Sequence, residues 1–421
     1  MNLQIDAIRL QRELDELAAF SEVPLPAVTR VVFTEHDLQG RAYVKRLCEE
    51  AGLKVREDAV GNTFARWAGA APDLPAVGTG SHIDAIPNAG MYDGTVGVLG
   101  GLEAIRSLQR AGYQPLLSLE LLLFTSEEPT RFGIGCLGSR LLSGLLDAGA
   151  GDRLKGRDGL TLNQAREQAG FAGSLDSVAL GGDYYSAFVE LHIEQGPLLE
   201  QRGVGLGVVT AIAAPASLRV TIEGVGGHAG AVLMPGRRDA FLAGAEVALA
   251  VEAAAKSTGA VDTVGTTGVC NVFPGAVNSV PSGCYLEIDV RDIDQVRRDA
   301  VLDRILAAAR EIEERRKVVI RTELINADPP AECGPRVVAA LEESCKQSGF
   351  AYDRMISRAY HDSLFMSKVA PTAMLFIPCR GGVSHRPDEF ASTEDIARGA
   401  HVLALTMAAL AGETNSETRG A

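Results

Sequence analysis

Four stretches of this chain are almost continuously apolar: Pro75 to Gly80, Leu116 to Thr125, Ala187 to Ile193 and Ala373 to Pro378. Short runs of this kind read as strands buried on both faces, the situation of parallel strands in a sheet covered by helices. Each run ends by delivering ionisable side chains. The first arrives at His82-Ile83-Asp84, the second at Ser126-Glu127-Glu128, the third at His192-Ile193-Glu194-Gln195, and the fourth passes Gly381-Gly382 to reach His385. Open α/β sheets bind their ligands beyond the carboxyl ends of the strands, so four strands ending in this way predict one shared site.

The residue types point to a metal. After His82 the chain runs through Gly90-Met91-Tyr92-Asp93-Gly94, a glycine-rich turn placed to open a helix. His82 and Asp93 offer a nitrogen and a carboxylate suited to Zn²⁺ or Mn²⁺, and Asp84 can hold the imidazole from behind. By itself a strand-end His beside an Asp is equally a structural hydrogen-bonded pair, and Glu127-Glu128 is equally a solvated turn. Adjacent carboxylates at the mouth of a buried strand are nevertheless costly to desolvate unless a cation or a reaction uses them. Of the seven histidines, His36 and His401 sit in helix-like polar surroundings and read as structural.

At 421 residues the chain exceeds the ~250–300 at which single cores stop growing, so two domains are expected. A net charge of −14 disfavours sequence-independent binding to nucleic acid, though not a small anion held by a few arginines. No apolar run approaches the ~18–20 residues that cross a bilayer, and Met1 to Glu22 reads as an amphipathic helix rather than a signal peptide. Seven cysteines without a C-x-x-C pair read as free thiols of a reducing, cytoplasmic compartment.

Between about Ala213 and Asp328 the texture changes. Strands are expected at Ser217 to Glu223, Val261 to Val272, Cys284 to Asp292 and Val318 to Asn326, with helices at Arg237 to Ala255 and Asp294 to Arg316. The order βαββαβ is that of a ferredoxin-like α+β unit. The expected fold is therefore an α/β domain, 1–212 and 328–421, built on a mixed, mostly parallel sheet flanked by helices, with an inserted α+β domain at 213–327. Thr210 to Pro215 and Ala327 to Pro330 serve as hinges, and Glu413 to Ala421 reads as a disordered tail. The insert's polar landmarks are His228 between glycines, Asn278, and Arg291 at a strand end, which needs an anionic partner: a structural Asp or a substrate carboxylate.

In this order, the segments GSHIDAIPNAGMYDGTVGVLG, LFTSEEPTRFGIGCLGSRLL, HIEQGPLLE, GGHAGAVLMP and SRAYHDSLFM resemble the bi-metal aminoacylase/carboxypeptidase family. Within it they are most similar to the branch that hydrolyses ureido compounds: allantoate, N-carbamoyl-L-amino acids and ureidoglycolate. The resemblance implies two divalent ions per subunit, Mn²⁺ first among Mn²⁺, Zn²⁺, Co²⁺ and Ni²⁺. One would be held by His82, Asp93 and His192, the other by Asp93, Glu128 and His385, with an Asp93-Gly94 cis peptide. Glu127 would be the general base, Asp84 the orienter of His82, and the insert a lid and dimerisation domain whose His228 reaches the partner subunit's site.

Gln195, Asn278 and Arg291 match the branch's substrate-holding positions, and Tyr360-His361 stands where many relatives have Gly-His. Tyr360 is expected to offer its phenol to a substrate hydroxyl. The activity implied is hydrolysis of a small anionic ureido acid, ureidoglycolate first, giving glyoxylate, ammonia and carbon dioxide. The alternatives are allantoate or an N-carbamoyl-L-amino acid, and, from a different class, a metallopeptidase or aminoacylase. His192 speaks against the last, because the peptidase side of the family usually has a carboxylate at that ligand position.

Overall fold

The structure, a computed structural model, describes residues 3–412; the tail from Glu413 lies outside the described residues. The chain divides into two compact units. One comprises the residues up to Thr210, Cys333–Met355 and the chain from His361; the other comprises Ala211–Glu332 and Ile356–Tyr360.

The first unit is organised by a mixed sheet whose four central strands lie in the order Thr372–Ile377, Tyr185–Ile193, Ala76–His82, Leu119–Phe124. These four are mutually parallel, and nearly every residue in them is buried. The continuous apolar runs exist because both faces are covered. Helices Thr95–Arg110 and Thr393–Ala411 pack on the sheet, while Phe64, Leu122, Phe124 and Phe188 join a core with Leu137, Leu141, Leu162 and Phe171. Beyond Leu119–Phe124 the sheet continues antiparallel with Thr63–Trp67 and Lys54–Glu57, and beyond Thr372–Ile377 with Gly207–Ile212.

Helix starts follow their caps rather than the apolar pattern. The helix read from Met1 begins at Ala7, where Asp6 accepts the N–H of Arg9 at 3.0 Å. The first hinge stretch is strand on both sides, Gly207–Ile212 and Ala214–Glu223.

The second unit is a four-stranded antiparallel sheet in the order Val264–Phe273, Gly283–Asp292, Ala214–Glu223, Val319–Ala327, with helices Ala240–Lys256 and Gln295–Arg316. Leu218, Val220 and Ile222 alternate inward on one strand and Leu286, Ile288 and Val290 on the next, meeting Val247, Val251, Val301 and Ile305 from the helices. A two-residue ladder pairs Gly227–His228 with Ser279–Val280. Among the described residues no helix is long and apolar enough to cross a membrane. All seven cysteines are unpaired, and all but Cys270 are buried.

Candidate metal centre

The carboxyl ends of the central strands bring seven of the expected side chains together. His82 closes its strand, and the chain returns through a turn to Asp93 and Gly94, the N-cap of helix Thr95–Arg110. Gly94 has φ +67°, and a Cβ there would lie 2.5 Å from His82 Nε2, so only glycine lets the turn pass under the imidazole. The Asp93-Gly94 cis peptide is not found: among the described residues the cis bonds precede Pro26 and Pro274. The turn is made by the positive φ of Gly94 instead, which avoids the ~2.5–4 kcal/mol cost of a non-proline cis bond.

Asp93 is the hub. Its Oδ1 lies 3.1 Å from His192 Nε2 and 3.8 Å from His82 Nε2, and its Oδ2 lies 3.0 Å from His385 Nε2. His385 Nε2 is also 3.3 Å from Glu128 Oε1. Of three groups of three donors among the described residues, two share Asp93, His82/Asp93/His192 and Asp93/Glu128/His385, each with its ligand atoms within 4.8 Å of one another; the third, Glu190/His192/His361, lies behind His192. Three imidazole nitrogens and two carboxylates in this spacing form a donor set that fits divalent ions such as Mn²⁺ or Zn²⁺. The far nitrogens are already engaged, His82 Nδ1 at 3.0 Å from the main-chain oxygen of Asp84 and His192 Nδ1 at 2.8 Å from that of Ile193. Both rings therefore turn Nε2 inward.

The role of Asp84 differs from the expectation. Its carboxylate is 3.7 Å from His82 Nδ1, too long for a hydrogen bond, and accepts instead the N–H groups of Glu127 at 3.2 Å and Glu128 at 3.0 Å. It orients the carboxylate pair, and only its main chain orients the imidazole. Glu127 stands beside the cluster and in neither donor group, with Oε2 3.9 Å from His82 Nε2.

Burial, then the charge of Asp93, pushes Glu128 up to about 8; burial, then Asp37, pushes Asp84 to about 7. Burial and the charge of Glu128 hold Glu127 well above the usual carboxylate range. Burial alone would raise Asp93 too, but hydrogen bonds from His192 and His385 outweigh it and hold Asp93 well below that range. The same contacts raise the imidazoles: His385 to about 9 through its bond to Asp93, and His192 to about 9 against the pull of burial. Burial takes His82 down to about 4 despite Asp93.

A pH dependence follows. Glu128, Asp84, His192 and His385 bind protons more tightly folded than unfolded, so each contributes stability that is lost as pH rises through its folded value. His82 and Asp93 act in the opposite sense, but only below about 6.5, the ordinary histidine value. Metal-free protein is expected to lose thermal stability between pH 6.5 and 9. Mn²⁺, which competes with those protons, should raise the melting temperature more at pH 8.5 than at pH 6.5. Melting curves with and without Mn²⁺ at the two pH values check this; a gap that narrows with pH rules out this donor set.

The expected substrate residues divide between the two units. In the first, Gln195 (φ +55°) donates from Nε2 to Asp93 Oδ2 at 3.0 Å, while its Oε1 is buried without a hydrogen-bond partner. His361 is buried, its ring 4.6 Å from that of His192 and edge-on to it, so it backs a donor residue. In the second unit the short ladder pairs His228 with Ser279, and beside it the carbonyl of Asn278 accepts the N–H of Ala229 at 2.8 Å. Arg291 donates from Nε to Asp289 at 2.8 Å and from Nη1 to the carbonyl of Arg358 at 3.2 Å, so a structural Asp does orient its fork. The Tyr360 phenol donates to Asp328 at 2.6 Å, which leaves its oxygen as the acceptor for a substrate hydroxyl.

Sequence reasoning missed two buried acids. Glu190 accepts the Ser81 and Ser363 hydroxyls at 2.7 and 2.6 Å behind His192; a Glu inside an apolar strand was the available signal. Glu389 lies in the His385 loop, where no pattern marks it.

A model of the family described as peptidase family M20/M25/M40 matches residues 78–409. The chain belongs to this family. As an M20/M25/M40 member it is a hydrolase acting on C–N bonds. It is 54% identical over 411 residues to a ureidoglycolate hydrolase of Oryza sativa subsp. japonica, covering 96% of this chain and 85% of that protein. It is 38% identical to an N-carbamoyl-L-amino acid amidohydrolase of Geobacillus stearothermophilus, covering 97% and 99%. The crystal structure of AtUAH in complex with glyoxylate superposes with a TM-score of 0.90 at 53% identity, covering 97% of this chain and 98% of that one.

Proposed function

We propose that this chain is a metal-dependent amidohydrolase that cleaves the ureido group of ureidoglycolate, yielding glyoxylate, ammonia and carbon dioxide. The observation that carries the chemistry is the position of Glu127, a carboxyl beside two donor groups that share Asp93 and committed to neither. The substrate is supported by relatives identical at more than half of their aligned positions and named for ureidoglycolate.

Bound at the two donor groups, divalent ions, Mn²⁺ first, would supply Lewis acidity, polarising the ureido carbonyl and acidifying the attacking water. Glu127 takes the proton of that water and returns it to the departing nitrogen. Gln195 presents its unpaired Oε1 to the ureido N–H groups. His228 and Asn278 belong to the second unit, Ala211–Glu332 with Ile356–Tyr360 rather than the expected 213–327, which serves as a lid and dimerisation domain, and His228 stabilises the developing oxyanion in the partner subunit's site of a homodimer. Loss of ammonia and carbon dioxide leaves hydroxyglycine, which releases a second ammonia to become glyoxylate. Free thiols fit a cytoplasmic setting.

The test is a product assay of Mn²⁺-reconstituted protein on ureidoglycolate, allantoate, N-carbamoylglycine and a dipeptide. Ureidoglycolate should give the highest kcat/KM; preference for N-carbamoylglycine would transfer the assignment to the carbamoyl amino acids. Arg291→Lys keeps the charge but loses the planar fork that pairs with the substrate carboxylate. Its kcat/KM should fall by a factor corresponding to ~2–5 kcal/mol, with Asp289 still in place.

If His228 acts across a dimer, mixing Glu127→Ala protein with His228→Ala protein under conditions of subunit exchange should restore partial activity. One site of the mixed dimer then has both groups. No rescue, with exchange demonstrated, returns His228 to its own subunit's site or removes it from the chemistry.

A further inference from the structure

The loop between strand Thr372–Ile377 and helix Thr393–Ala411 carries His385, and little in the loop itself fixes that imidazole. His385 has φ +59°, and the residues from His385 to Asp388 are exposed. Glu389 breaks the pattern, with only 5% of its surface exposed.

Its two carboxylate oxygens are divided between segments from opposite ends of the sequence. Oε1 accepts the N–H groups of Tyr92 at 2.9 Å and Asp93 at 3.1 Å. Oε2 accepts the Ser384 hydroxyl at 2.9 Å and the N–H of His385 at 3.3 Å. Ser384 in turn receives Gln195 Nε2 at 3.2 Å. Space for the side chain exists because residue 90 is glycine: a Cβ on Gly90 would lie 2.3 Å from Glu389 Cβ and 2.5 Å from Oε1.

We propose that Glu389 is a positioning residue of the metal centre, which by bonding the main chain of Asp93 and of His385 at once sets the separation of these two ligands. The proposal rests on the reading that Asp93, Glu128 and His385 hold an ion. A carboxylate suits the place because four donors converge on it and it is acceptor-only. An amide would turn an NH₂ group toward one pair of N–H and O–H donors. Outer partners of metal ligands typically matter by ~10–100-fold in affinity, because they fix where the ligand atoms stand before the ion arrives.

Two variants test this independently. Glu389→Gln removes half of the acceptor capacity, and Gly90→Ala displaces the side chain while leaving every donor in place. Mn²⁺ is titrated calorimetrically into metal-free protein, and the melting temperature of the metal-free form is recorded beside it. In both variants one of two ions should bind ~10–100-fold more weakly, the other close to its unmodified value, and the weakened ion should be the one lost in His385→Ala. Unmodified affinity for both ions in the two variants overturns the proposal. So does equal weakening of both with a lower metal-free melting temperature, which would assign Glu389 to loop stability. Unmodified protein that binds no ion would overturn the metal reading, and this proposal with it.

Discussion

Replacing Glu127 by Gln lowers the turnover of ureidoglycolate by at least ~10²-fold while the protein still carries about two Mn²⁺ per chain. The amide keeps the volume of the side chain and its hydrogen bond from the Cys136 thiol, 3.5 Å from Oε1, so the pocket is little disturbed. What is lost is the ability to accept a proton. Burial and the neighbouring Glu128 hold the carboxyl well above its usual range in the metal-free protein, and divalent ions bound beside it would draw it back toward the range of a base. Steady-state kinetics and metal analysis on the same preparation check the two halves. If Glu127→Gln loses an ion and Glu128→Gln does not, ligand and base are exchanged within the pair.

Asp93→Asn should have a still larger effect, abolishing turnover and weakening both ions beyond the ~10–100-fold typical of an outer partner. Each oxygen of Asp93 faces a different donor group, Oδ1 toward His192 and His82 and Oδ2 toward His385. An amide must place its NH₂ against an imidazole nitrogen on one side and leave a neutral ligand on the other. Chelated unmodified protein should lose activity to the same degree but recover on addition of Mn²⁺, whereas Asp93→Asn at the same Mn²⁺ concentration should not. Retention of one ion at unmodified affinity, with measurable turnover, would show that the two donor groups do not depend on a shared ligand.

Much of the donor set was legible because burial leaves a strong mark on sequence. A strand covered on both faces has no polar positions to spare, so a His or Glu at its end stands out, as His82, Glu128 and His192 do. His385 was legible only through its strand and the glycines that follow, since its loop has no periodicity. In the second unit the alternation of Leu218, Val220 and Ile222 gave the strands directly, because only one sheet face is buried there. The helices at Leu137–Leu142 and Leu162–Gln168 escaped notice; at six and seven residues they are too short to show a helical period.

By itself, then, the sequence determined which residues must be buried and which ionisable groups end the buried strands, because desolvation constrains composition position by position. Partnership was decided only by the tertiary structure. The carboxylate of Asp84 serves the main chain of Glu127 and Glu128 and leaves the His82 ring to its own main-chain oxygen, the Tyr360 proton goes to Asp328, and Glu389 ties Asp93 to His385. Hydrogen bonds between residues far apart in the chain depend on where loops close, and a loop's path is set by packing against elements that its own sequence does not encode.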